Sequence, residues 1–384
     1  MPFYHQLGRV PPKRHTAFRQ ASGELYHEHL MGSIGFSGLS SLLYHLRPPT
    51  RVLDTRTVKE LSWESDEDQT LRMRHFQLGE LPDSTSAVLD RTPLLFNRDV
   101  AMSIVRPTGS DEFFYRNGQG DEVVYVAEGD GVLESQMGEL EYRQGDYVVI
   151  PRGILHRFRP GAQPSLYLII ESVGQIAPPK RYRNEHGQLL EHSPYCERDI
   201  RVPQSLPVHD ETGEFRVLVK SRDTLTEVVL DHDPLDVVGW DGYYYPWALS
   251  IHDFEPITGS LHQPPPVHQT FQAEGFVICS FVPRMFDYHP DAVPAPYNHS
   301  NVMSEEVIFY ANDEFMSRKG IGYGSLTLHP SGIPHGPHPG RAEASIGKER
   351  TEELAVMLDT FRPLSVAREV LAMEDPDYGR SWLD

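Results

Sequence analysis

Two stretches carry the residue types best suited to chemistry. The first, PYNHSNVMSEEVIFY at 296–310, sets His299 a few residues ahead of the adjacent carboxylates Glu305 and Glu306. The second, GSLTLHPSGIPHGPHPG at 324–340, reaches His335 by way of Gly324, Pro330 and Gly332. Two histidines and one carboxylate on two short strands have the ligand types of a facial triad. Such a triad holds Fe(II) by three protein donors and leaves neighbouring positions open for substrate and oxygen.

The same spacing occurs earlier in the chain. Gly145, Pro151, Gly153 and His156 repeat the intervals of Gly324, Pro330, Gly332 and His335, and DEVVYV at 121–126 lies against EEVIFY at 305–310. A repeat of this kind implies two small β-barrels of one architecture. The first copy has Glu122 and His156 but Tyr115 at the place of His299, and Ile150 at the place of His329. The N-terminal barrel is therefore expected to be structural and the C-terminal barrel to hold the metal. The repeat sets Glu306 against Glu122, which selects Glu306 over Glu305. His329 replaces an apolar residue of its sister copy, which favours a functional role for it.

The remaining residues must supply the frame. With 39% hydrophobic residues in 384 the chain can bury a core, and its 30 glycines and 32 prolines favour short strands joined by turns. The expected class is all-β, with two jelly-roll barrels and few short helices. Residues 1–160 are assigned to the N-terminal barrel, 161–232 to a proline-punctuated crossover, and 233–384 to the C-terminal barrel. Trp240, Tyr243, Tyr244, Tyr245 and Trp247 are expected to pack between barrels. A short helix is expected after Ser365 as N-cap, ended by Pro376.

A formal net charge of −20 argues against nucleic acid and anionic membranes as partners. Cys196 and Cys279 alone make neither a disulfide framework nor a zinc-thiolate site. The start lacks the apolar run of a signal peptide and no segment approaches ~18 apolar residues, so a cytoplasmic protein is expected. His27 and His29 in YHEH could share a strand face, but nothing nearby in sequence completes a ligand set.

The doubled glycine–proline–glycine–histidine spacing resembles the cupin superfamily, and the pair of copies a bicupin. Within it the chain resembles the homogentisate 1,2-dioxygenases, especially the shorter bacterial type. The matching stretches are GFSGLSSLLYHLRPPT, VVGWDGYYYPW, LHQPPPVHQTF, PYNHSNVMSEEV, TLHPSGIPHGPHPG and SIGKERTEELAVMLDTFRPL, spread over nearly the whole chain. A lone cupin motif says little about function, because the fold hosts many chemistries. Six stretches in order are more specific.

The resemblance implies Fe(II) held by His299, a carboxylate and His335, and opening of homogentisate by O2 to maleylacetoacetate, a step of tyrosine and phenylalanine catabolism. In some relatives the carboxylate lies six residues beyond the first histidine, which would be Glu305; the repeat keeps Glu306. It also implies His262 as the acid–base histidine with His268 in reserve, His329 as a second pocket histidine, and Tyr297 as a substrate contact. Lys319 and Arg318 are candidate cations for the substrate's acetate, and His338 is assigned to a solvated loop. A homo-oligomer, trimer or hexamer, is expected. The alternatives are a related dioxygenase acting on gentisate or a hydroquinone, and a non-catalytic metal-binding bicupin.

Overall fold

Alternating apolar positions over runs of four to ten residues make strands, and the glycines between them make the turns. The computed structural model describes residues 3–383. Among them the single α-helix is Arg341–Ser345, and no helix is long and apolar enough to cross a membrane. The class is all-β, built as two cupin barrels.

The first barrel has two walls. One is an eight-stranded sheet centred on the antiparallel strands Asp121–Glu128, Asp146–Ile150 and Leu166–Ser172. The other is a seven-stranded sheet that includes Asp130–Ser135, His156–Pro160 and Phe114–Asn117. The second barrel is built on a six-stranded sheet in the order Gln269–Ala273, Phe276–Phe281, Ala355–Thr360, Glu305–Tyr310, Ser325–His329, Arg74–Gln77.

The large sheets of the two barrels pack face to face. Tyr125 meets Phe309 edge-on at 6.1 Å and Tyr147 meets Phe271 at 5.4 Å. The Tyr147 hydroxyl bonds Ser280 Oγ at 2.8 Å. Strand alternation explains how one strand serves two masters. On Glu305–Tyr310, Val307 and Phe309 enter the core between barrels, while Glu306 and Ile308 face the second barrel's cavity. Trp247 joins this interface through Phe271 at 5.4 Å; Trp240, Tyr244 and Tyr245 are buried instead against Met137, Arg152 and the N-terminal residues Phe3 and His5, and Tyr243 is exposed.

Three expectations about the frame need correction. Residues 161–232 are no bare crossover: Leu166–Ser172 is an inner strand of the first barrel, and Thr212–Ser221 with Thr224–His232 extend its second wall. Each barrel also borrows a strand. Arg74–Gln77 pairs with Ser325–His329 of the second, and Ser365–Val366 pairs with Leu95 and Phe96 of the first. Ser365 is consequently in a strand and caps nothing; a 3-10 turn, Arg368–Met373, follows, already over before Pro376.

The repeated glycines are positions of left-handed backbone. Gly145 and Gly324 have φ of 87° and 77°, Gly153 and Gly332 of 80° and 89°, a conformation glycine adopts without steric cost. At Gly324 a Cβ would also stand 2.7 Å from the Cα of Gly79. These turns fix where His156 and His335 re-enter their barrels.

Candidate metal centre

The two barrels superpose in register as well as in sequence. Glu122 lies opposite Ile150 and Glu171; Glu306 lies opposite His329 and Asp359. Tyr115 pairs with His156, and His299 forms an isolated bridge with His335. What differs is what faces the carboxylate at the centre.

In the first barrel it is a cationic side chain. Arg91 gives Nη1 and Nη2 to the two oxygens of Glu122, and its Nη1 stands 3.6 Å from Glu171. Tyr115 and Asn117 also donate to Glu122, at 3.1 and 2.9 Å. Lys220 covers Glu171 at 2.5 Å. Burial alone would push the Glu122 carboxyl up, but the Arg91 charge holds it down at about 2.

In the second barrel His299, Glu306 and His335 offer ligand atoms within 4.8 Å of one another. Glu306 Oε2 is 3.8 Å from His299 Nε2 and 3.7 Å from His335 Nε2. Reciprocal backbone bonds of 2.8 and 2.9 Å lock His299 to His335. Each ring turns its Nδ1 toward the carbonyl two residues before it, Tyr297 at 3.2 Å and Ile333 at 3.4 Å. With the proton on Nδ1, both Nε2 atoms present lone pairs to the centre. His335 is 3% exposed, and its Nε2 is buried without a hydrogen-bond partner.

This donor set fits a divalent cation. An orphaned imidazole nitrogen beside a buried carboxylate is costly without one. Neutral imidazoles with one carboxylate and open neighbouring positions are the ligand types of non-haem Fe(II) sites. Glu305 faces the other way: its Oε2 accepts from the Leu364 amide at 2.7 Å.

Electrostatics mark the same place. Burial opposes ionisation of Glu306, yet the hydrogen bond from His329 and the nearby His335 ring hold its carboxyl well below the usual range. Burial lowers the His335 imidazole, but Glu306 more than offsets this and raises it. Asp359, one strand over, is pushed up to about 7 by burial and then by the Glu306 charge. Asp359 was not singled out from sequence; an acid within an otherwise apolar strand, LAVMLDTF, was the signal.

A cavity of about 400 Å³ opens over this centre, lined by Phe281, Phe286, Ile308, Phe315 and Met357 with His262, His268, His299, Glu306, Arg318 and Asp359. His262 stands at the mouth, its Nδ1 3.3 Å from Asp287 and its ring 5.2 Å from Tyr297. Tyr297 is 59% exposed at the same rim. His268 is deep in the wall, where burial and then the Arg284 charge push it down to about 3.

Three sequence assignments move. His329 does not line the cavity. It is fully buried behind Glu306, with Nδ1 2.6 Å from Glu306 Oε1 and Nε2 3.1 Å from the Tyr378 hydroxyl. Burial pushes it down to about 4, so it is neutral at pH 7 and backs the carboxylate from outside the cavity lining. Lys319 is exposed and off the cavity wall; its neighbour Arg318, buried, is on it, with Nη2 3.9 Å from Glu306 and Nε without a hydrogen-bond partner. Adjacent loop residues point apart, so one residue of register decides which cation enters. His338 is buried and stacks on Trp382 at 4.1 Å, not solvated.

Comparison with known proteins bears on this arrangement. Residues 92–251 match the family model described as Homogentisate 1,2-dioxygenase N-terminal. The chain is 44% identical over 385 residues to the protein named "Putative dioxygenase SSO1533" of Saccharolobus solfataricus, covering 100% of this chain and 99% of that one. It is 27% identical over 289 residues to a homogentisate 1,2-dioxygenase of Bradyrhizobium diazoefficiens, covering 71% of this chain and 63% of that protein. Among solved structures, a cupin 2 conserved barrel domain protein from Leptotrichia buccalis aligns at 12% identity and TM-score 0.36, over 79% of this chain and 100% of that one.

Proposed function

Because the chain belongs to the homogentisate dioxygenase-like cupin family, we propose that it is a ring-cleaving dioxygenase whose metal is Fe(II) and whose substrate is homogentisate, opened to maleylacetoacetate. One observation carries the reading. His299 and Glu306, on the cavity wall, converge with the buried His335, whose Nε2 no protein group satisfies.

Bound Fe(II) would supply a Lewis-acidic, redox-active centre where a ring hydroxyl and dioxygen can meet. The chain does the rest. Arg318 offers a buried guanidinium to the substrate carboxylate, a charge-assisted contact, while the cavity's other arginine, Arg284, is paired with Glu353. The apolar wall of Phe281, Phe286 and Phe315 excludes water and packs the ring. A phenol with pKa near ~10 must lose a proton on binding, and His262 at the mouth, oriented by Asp287, is placed to take it.

The closeness of Arg318 to Glu306, 3.9 Å, also suits a carboxylate attached directly to the ring, as in gentisate. Oxygen uptake by the Fe(II)-reconstituted protein with homogentisate, gentisate and hydroquinone tests both. Consumption with homogentisate supports the proposal and consumption with gentisate alone moves the substrate. No consumption with any of the three favours a non-catalytic metal-binding bicupin.

A further inference from the structure

The geometry points to Tyr378 as a positioning residue for the cation site: acting through His329, its hydroxyl holds Glu306 so that one oxygen stays turned toward the two ligand histidines. This rests on the metal triad proposed above.

The chain of contacts is short and fully buried. Tyr378 is 3% exposed, His329 0% and Glu306 6%. An ionised carboxylate only accepts hydrogen bonds, so the 2.6 Å contact between His329 Nδ1 and Glu306 Oε1 requires the proton on Nδ1. The neutral ring then has an acceptor at Nε2, where Tyr378 donates at 3.1 Å. One tautomer satisfies both contacts. With Oε1 held by His329, Oε2 is the oxygen left facing His299 and His335.

The tyrosine is itself held. Its segment is tied down by Trp382 Nε1 donating to the Gly336 carbonyl at 3.2 Å and by Ser381 Oγ at 2.7 Å from His338 Nε2. Upstream, the Asp375 amide donates to the His75 carbonyl at 2.8 Å, and Arg74 grips Glu374. Arg74 and His75 belong to the edge strand paired with Ser325–His329, the strand that ends in His329. The C-terminal segment and the edge strand therefore fix the two ends of one hydrogen-bonded line.

The first barrel supplies the control. There the residue opposite the carboxylate is Ile150, and Arg91 pins both oxygens of Glu122 directly. The barrel with an internal guanidinium has no such line; the barrel whose carboxylate must keep an oxygen for a metal has one.

Cobalt titration of chelator-treated full-length protein tests this without turnover, because Co2+ absorption reports both affinity and ligand geometry. The wild type should bind Co2+ and His335→Ala should not; equal binding by both would remove the triad itself and leave nothing to position. With the triad intact, Tyr378→Phe should weaken Co2+ about 10- to 100-fold and change the band envelope, the usual reach of such outer partners. His329→Ala should lose at least as much, and adding Tyr378→Phe to it should lose no more. Ser381→Ala, which loosens the backbone of the same segment but keeps the Tyr378 hydroxyl, should weaken Co2+ less than Tyr378→Phe does, and an equal loss overturns the inference. Unchanged affinity and spectrum in Tyr378→Phe, or additive losses in the double variant, overturn the inference. Should Tyr378→Phe not fold, nitrogen NMR of histidine-labelled wild type decides: His329 protonated on Nδ1 supports the line, and on Nε2 refutes it.

Discussion

Arg91 meets both oxygens of Glu122 at 3.1 Å, at the position where the second barrel turns Glu306 toward two imidazoles. One guanidinium thus does within the first barrel what a metal ion would do in the second. The pair is almost wholly enclosed, with Arg91 side-chain exposure of 9% and Glu122 of 0%. Removing one partner of a buried pair leaves an uncompensated charge, a loss of ~3–5 kcal/mol. Arg91→Met should accordingly lower the urea midpoint strongly while leaving metal binding at the second barrel intact. A loss under ~1 kcal/mol would show that the pair is worth no more than an exposed one.

The choice between adjacent carboxylates is equally direct. Glu306→Gln and His335→Ala should each lose iron from anaerobically purified protein, measured by elemental analysis. Glu305→Gln should keep it, since Glu305 is spent on the Leu364 amide. Iron retained in Glu306→Gln and lost in Glu305→Gln would put the strand one residue out of register.

Much of this was legible in the sequence because the repeat is a physical constraint stated twice. Glycines at four matched positions mark left-handed turns, and alternation on EEVIFY sorts Glu306 from Val307. What escaped reading lacked such a signal. Arg74–Gln77 and Ser365–Val366 are too short to show a period, so their exchange between barrels left no trace. Arg91 and Tyr378 lie 31 and 49 residues from the groups they serve, and nothing local announces either. Lys319 and Arg318 differ by one position on an irregular loop, where no periodicity says which side chain turns inward.

Acid should destabilise the protein partly through His268. Burial holds this imidazole at about 3 in the fold, against ~6.5 when unfolded. Between those values the unfolded chain binds more protons than the native one. Stability therefore rises with pH through this window and is lost on acidification. His268→Gln removes the titrating group, so its urea midpoint should fall less between pH 7 and pH 4.5 than that of the wild type. Parallel curves for the two proteins would mean that His268 titrates normally in the fold.

Arg318 should decide how the substrate's carboxylate is held. It is the buried cation on the cavity wall nearest Glu306, and its Nε has no protein partner to give up. A hydrogen bond to a charged group is worth ~1.5–3 kcal/mol, so Arg318→Gln should raise KM for an aromatic acid about 10- to 100-fold. Hydroquinone, which has no carboxylate, should be bound equally by variant and wild type. Iron content must be matched first, because Arg318 also neighbours Glu306. Arg318→Lys should recover only part of the loss, as an ammonium cannot offer the planar two-pronged contact of a guanidinium. Lys319→Ala should behave as wild type in every one of these measurements. If Lys319→Ala raises KM and Arg318→Gln does not, the substrate enters from the rim and the buried guanidinium serves only the fold.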